Sequence, residues 1–164
     1  MKRDYSNEKH AIMKEIVVEA KIENLDVVQD FITKELKSSP CCPINLQTQI
    51  ALAVEEIFVN IARYAYGQNA CVRSTKSEQL VTEVGSVTVR IAVNDEIIIE
   101  YEDNGMPFNP LERDDPDISL GLEERGIGGL GIYMVKKLMD AIKYRYENNK
   151  NILVMTKKNA HHFE

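Results

Sequence analysis

Val87, Val89, Ile91 and Val93 alternate with Thr88, Arg90 and Ala92, and a second apolar run, Ile97 to Glu102, follows after Asn94-Asp95. Alternation of period two puts successive side chains on opposite faces, so two such runs across a short polar break predict an antiparallel hairpin. One face of that hairpin is apolar and must be covered. The segment Lys14 to Ala20, with Ile16, Val18 and Ala20 on one side, predicts another strand. A last strand, Ile152 to Thr156, is expected after an Asn148-Asn149-Lys150 turn, and Tyr144-Arg145-Tyr146 fits alternating positions of an edge strand.

Helical spacing supplies the cover. Leu25, Val28, Ile32 and Leu36 predict a first helix, with Asn24 as its N-cap and its end near Lys37. Ile50, Val54, Ile57 and Ile61 form the apolar stripe of a second, Leu46 to Tyr66, which Gly67 would stop. A third spans Ile132 to Met139. The order β-α-α-β-β-loop-α-β implies an α+β fold, a two-layer α/β sandwich with helices on one face of the sheet. Gln68 to Gly85 is expected to be a long loop. Asp103 to Gly131, rich in Asp, Gly and Pro, is too long for an idle connection and is expected to be functional or mobile.

The 164 residues suit one domain, 12–158, between a polar lead, 1–11, and a polar tail, 159–164, that holds His161-His162. A net charge of −6 argues against a nucleic-acid binder. No segment has the length and apolarity of a membrane span, and no signal peptide is visible, so a cytoplasmic protein is expected. Cys41, Cys42 and Cys71 lack the spacing of a zinc site or disulfide framework.

Three segments carry chemistry. Glu56 and Asn60, four apart, project from one face of the second helix. An amide oxygen there can coordinate Mg²⁺, and a carboxylate can act as general base, although the pair also fits a solvated helix face. Asp103-Asn104-Gly105 follows a strand directly. Its carboxylate could accept hydrogen bonds from an exocyclic amine such as that of adenine, with Gly105 leaving room for a flat base; a plain turn is the alternative. Gly126, Gly128, Gly129 and Gly131 lead into a helix, whose N-terminus presents N–H donors to an anion. That run fits neither the P-loop pattern nor the dinucleotide fingerprint.

In this order and at these separations, the three segments resemble the N box and the two glycine boxes of the GHKL (Bergerat-fold) ATPases. With the YAYG ending of the second helix, the PFNP after Asp103 and the GGLGIYMVKKLMD segment, the chain looks most like the anti-sigma-factor serine kinases of the RsbW and SpoIIAB type. The resemblance covers about Ile12 to Lys158 and implies a mostly antiparallel, mixed sheet. It implies that Asp103 binds the adenine amine beside Gly105 and that Asn60 ligates Mg²⁺. Glu56 would activate the attacking hydroxyl. Gly128, Gly129, Leu130 and Gly131 would donate backbone N–H groups to the phosphates of ATP. Segment 110–128 would be a lid carrying Arg125 to the γ-phosphate, and Thr156 would support the adenine site. Pro107 stands where the first glycine box has its last glycine, and Arg63 where many relatives have His. Glu55 precedes Glu56, and the spacing to Asn60 favours Glu56 as the base.

The implied function is transfer of the γ-phosphoryl of Mg-ATP to a Ser or Thr of a small antagonist protein, coupled to binding of a sigma factor or similar partner. A homodimer is expected from the resemblance. A non-catalytic ATP-binding module that sequesters a partner and a simple ATPase remain open. A histidine-kinase catalytic domain is disfavoured, because His10 in its short polar lead makes a poor phospho-acceptor.

Overall fold

A computed structural model of the chain describes residues 12–39, 42–66, 85–112, 115 and 130–159. Five strands, β1 (Lys14–Glu19), β2 (Ser86–Val93), β3 (Glu96–Asp103), β4 (Ala141–Glu147) and β5 (Lys150–Lys158), form one sheet in the order β1-β2-β3-β5-β4. Every neighbouring pair is antiparallel, so the sheet is not mixed. The helices are α1 (Leu25–Ser38), α2 (Ile44–Asn60) and α3 (Leu130–Leu138).

The alternation read in β2 is largely the alternation of burial, and β3 buries every second residue as well. Val87, Val89, Ile91, Ile97, Ile99 and Tyr101 are buried. They meet Val28, Ile32 and Leu36 of α1, Ile50, Val54, Ile57 and Phe58 of α2, and Val135 of α3 in one core. At about 25 cal/mol per Å² of apolar surface, such burial is the main term holding the two layers together. The other face carries Arg90, which donates to Glu15, Glu100 and Glu102, with Lys150 also on Glu102. Those charges mark it as a polar face of a half-covered antiparallel sheet.

Four sequence expectations change. Asn24 makes no side-chain cap to α1. Its Nδ2 donates to the Glu19 carbonyl at 3.0 Å, closing the β1–α1 corner instead. The second helix does not run unbroken to Tyr66: it leaves α geometry after Asn60, and Ile61–Ala65 form a π-helical turn. The strand between α3 and β5, signalled only by the Tyr144 trio, is a full edge strand of 7 residues. It joins β5 through Asn148 and Asn149, with φ of 53° and 60°. Two successive left-handed residues define the tight hairpin turn that Asn tolerates best. Asn159, assigned to the tail, is buried and tied to the β2–β3 turn, its N–H donating to the Asp95 carbonyl at 2.9 Å and its Nδ2 to the Asn94 carbonyl at 2.9 Å. The lead, the loop 68–84, Cys41, Cys71 and most of the expected lid lie outside the described residues. Cys42 is free and buried just before α2 begins. Among the described residues, no helix is long and apolar enough to cross a membrane.

Candidate functional site

The end of α2, the end of β3 and the start of β5 converge on one pocket. Ile57, Asn60, Ile61, Ala65, Tyr101, Asp103, Phe108, Pro110, Tyr144, Asn151 and Leu153 line about 410 Å³ of space, part of it open to solvent. The walls are mostly apolar and aromatic, with a few polar groups, which is the make-up of a small-molecule site.

Asp103 is the charged group among these wall residues. It is the last residue of β3 and falls on the strand's buried parity, so the residue is 5% exposed. Burial pushes its pKa up, against hydrogen bonds from Asn151 and Gly105 that pull it down. Both bonds land on Oδ1: the Gly105 N–H donates at 2.8 Å and Asn151 Nδ2 at 2.9 Å. Among the described residues, no bond is formed to Oδ2.

Gly105 is needed for a different reason from the one expected. A Cβ there would sit 2.4 Å from the Ala65 carbonyl oxygen and 2.6 Å from the Ala65 Cβ. The space left by hydrogen is filled by the π-helical turn, and the adjacent Met106 N–H donates to the Ala65 carbonyl at 2.8 Å. Gly105→Ala is therefore expected to destabilise the protein by about 1–3 kcal/mol, the range for forced overpacking, read as a lower urea midpoint at unchanged slope. An unchanged midpoint would show that the turn yields freely.

Asn60 lines the pocket from α2, and its Nδ2 donates to the Glu56 backbone carbonyl at 2.6 Å. That bond fixes the amide, so Oδ1 is the end left for a ligand. A single amide oxygen, completed by phosphate oxygens and water, is a fitting donor for Mg²⁺. Among the described residues, no cluster of three or more His, Cys, Asp or Glu side chains could hold a metal by itself.

One helical turn back, the half-buried Glu56 reaches the first turn of α3. A Cβ on Gly131 would lie 1.9 Å from Glu56 Oε2, so the carboxylate occupies the space that a side chain at 131 would take. The leading N–H groups of a helix have no partner within it and attract anions. Asp103 and Asn60 thus share the pocket wall, and Glu56, one turn before Asn60 on α2, meets the N-terminus of α3 at Gly131. Leu130, the first residue of α3, is exposed.

The remaining expectations divide. Arg63 is exposed on the π-helical turn, and Pro107 is exposed beyond Gly105; neither lines the pocket. Thr156 is not brought to it. It pairs with Ile98, whereas Asn151 pairs with Asp103. Partners directly opposite share a face; Ile98 is of opposite parity to Asp103, so Thr156 points to the other side of the sheet, about 17 Å along the strand. Arg125, Gly128 and Gly129 lie outside the described residues.

Two residues at the site were not singled out in the sequence. Asn151 bonds to Asp103, Phe108 and Tyr144 together. Tyr66 donates its hydroxyl to the Ser86 carbonyl at 2.7 Å and accepts from the Asn104 N–H at 3.1 Å. Its ring lies where a Cβ on Gly85 would be, 1.8 Å from Cε1, which accounts for a glycine just before β2. The YAYG segment pointed to Tyr66; an isolated Asn after a turn gave no signal.

Comparison with known proteins agrees with this geometry. The family model described as histidine kinase-like ATPase domain matches residues 18–157. The serine-protein kinase RsbW of Listeria monocytogenes serovar 1/2a is 29% identical over 113 residues, 66% of this chain and 63% of that protein. The chain therefore aligns with somewhat less than two thirds of that relative. A crystal structure of the RsbU and RsbW domains of a Mycobacterium tuberculosis protein superposes over 90% of this chain and 32% of its own, with a TM-score of 0.54 at 12% identity. That likeness bears on the fold, and it agrees with the antiparallel sheet backed by helices. A family match across both the Glu56–Asn60 helix and the Asp103 turn completes the assignment: the chain belongs to the histidine kinase-like ATPase domain family.

Proposed function

We propose that the chain is an ATP-binding protein serine/threonine kinase of anti-sigma-factor type, which phosphorylates a small antagonist protein and binds a sigma factor or similar partner. The observation that carries this reading is the arrangement of groups from Asp103 through Asn60 to the Glu56 carboxylate at the start of α3. It has an acceptor for the base at one end and a base for proton transfer at the other.

Asp103 receives the exocyclic amine of adenine through Oδ2. Asn60 offers its Oδ1 to Mg²⁺, which when bound neutralises phosphate charge. The Gly131 region of α3 supplies N–H donors, and Arg125 from the lid is the cation for the γ-phosphate. Glu56 then takes the proton of the attacking hydroxyl as the new oxygen–phosphorus bond forms and the γ–β bridge bond breaks, leaving ADP. Such chemistry rests on positioning and electrostatics. The RsbW relative, named a serine-protein kinase, supports the reading, and a homodimer in the cytoplasm is part of it.

The test is incubation with γ-labelled ATP, Mg²⁺ and a small antagonist protein bearing a candidate serine, followed by analysis for acid-stable phosphoserine. Label on the antagonist is the expected result. ATP binding without label points to sequestration of a partner, and phosphate release without a protein acceptor to a simple ATPase. Light scattering at micromolar concentration should give twice the monomer mass; a monomer would remove the dimer from the proposal.

A further inference from the structure

We propose that Asn151 is the positioning residue of the base pocket: it fixes the plane of the Asp103 carboxylate, so that one unbonded oxygen faces the ligand, and so sets the preference for a base with an exocyclic amine. The inference rests on the nucleotide reading above and adds a residue to it.

Asn151 is 6% exposed, and its side chain is surrounded by polar partners. Its Oδ1 accepts from the Phe108 N–H at 3.1 Å and the Tyr144 hydroxyl at 2.7 Å. Its Nδ2 donates to Asp103 Oδ1 at 2.9 Å, with the Met106 carbonyl at 3.1 Å and the Gly105 carbonyl at 3.3 Å on the same side. Only one orientation of the amide satisfies this set, because the Phe108 N–H can only donate and a carboxylate and carbonyls can only accept. The amide cannot flip without losing bonds at both ends.

That rigidity passes to Asp103. With Gly105 N–H and Asn151 Nδ2 both on one oxygen, turning the carboxylate out of this plane would leave two buried donors unpaired, a costly state, whereas a half-turn only exchanges two equivalent oxygens. Oδ2 is therefore the oxygen offered to the pocket, and it can only accept. A 6-amino purine meets it with N–H; a 6-oxo purine meets it with a second acceptor and leaves both unpaired. The partner is an amide and not a cation, so the charge of Asp103 is held without being neutralised. Lys150 and Arg90 spend their charges on Glu102, which lies on the other face of β3. The titratable groups beside Asp103 in the pocket wall are the tyrosines Tyr101 and Tyr144, with Tyr66 nearby on the π-helical turn side.

Two measurements on the full chain test the proposal. Calorimetry compares Mg-ATP with Mg-ITP, whose base carries oxygen in place of the amine. Carbon-13 NMR follows the titration of the Asp103 carboxyl without nucleotide. Asn151→Leu should lower the ATP-over-ITP preference at least tenfold and move the Asp103 titration to higher pH, because a donor to the ionised form is gone. Tyr144→Phe, which frees one end of the amide, should move both in the same direction by less. A folded Asn151→Leu with wild-type preference and an unmoved titration overturns the proposal and leaves Asn151 a packing residue. If Asn151→Leu does not fold, Tyr144→Phe decides by the same readouts. Wild type that binds neither nucleotide overturns the nucleotide reading, and the NMR titration then shows separately whether Asn151 governs Asp103.

Discussion

Asp103→Asn is expected to weaken Mg-ATP binding roughly 100-fold, because a hydrogen bond to a charged group contributes about 1.5–3 kcal/mol and an opposed donor adds to the loss. The direction follows from the bonds already on Oδ1. Gly105 N–H and Asn151 Nδ2 will hold the new amide by its oxygen. The NH₂ is then turned to the ligand, donor against donor. The fold should not suffer, since the change removes a buried charge while keeping its two bonds. Calorimetric titration beside a thermal melt checks both halves. Unchanged affinity in a folded variant would move the base elsewhere.

The same carboxyl makes a signed prediction for pH. Burial raises its pKa above that of an ordinary aspartate, so it takes up a proton earlier as pH falls. Protonation removes the negative acceptor, and ATP binding should begin to weaken at a higher pH than it would with an ordinary aspartate. For folding the sign is opposite. A carboxyl whose folded pKa lies above its unfolded value favours the native state when protonated, and that contribution is lost as pH rises through the folded pKa. Affinity that falls on mild acidification while this group favours the fold marks a local event and not acid unfolding.

What the sequence disclosed, and what it hid, follows from where periodicity exists. The apolar alternation of β2 over Val87, Val89, Ile91 and Val93, and the second run after the Asn94-Asp95 break, made the hairpin, its buried face and the position of Asp103 at a strand end legible. In β5, Ile152, Leu153, Val154 and Met155 are apolar in succession. No parity singles out a face there to test the role that the resemblance implied for Thr156, which the register with Ile98 places on the other side of the sheet. Asn151 precedes that run beside two turn residues, and its five partners come from residues up to 48 positions away. Such a hub has no local signature. The π-helical turn is hidden for a related reason: Ile61 continues the α stripe, whereas the departure from α geometry serves a contact between Ala65 and the distant Gly105. Gly105 itself was found, but for the space it leaves a ligand and not for the Ala65 backbone it touches.

Glu56→Gln is expected to slow phosphoryl transfer by about 10²–10⁴-fold, the usual contribution of a positioned general base, while leaving ATP affinity within a few-fold of wild type. The separation is built into the geometry. Asn60 is anchored by the backbone carbonyl of Glu56 and not by its carboxylate, so the Asn60 amide, the proposed Mg²⁺ donor, keeps its place. Glutamine has the shape of glutamate, so the space beside Gly131 stays filled. What is lost is the capacity to accept a proton at the start of α3. Single-turnover transfer to the antagonist, compared with calorimetric ATP affinity, tests this directly. Transfer that survives at the wild-type rate would remove Glu56 as the base, leaving its carboxylate the lesser task of filling the glycine gap. Loss of transfer and affinity together would instead mean that the charge helps bind the nucleotide, which a carboxylate set against the start of α3 should not do if that helix end receives the phosphates.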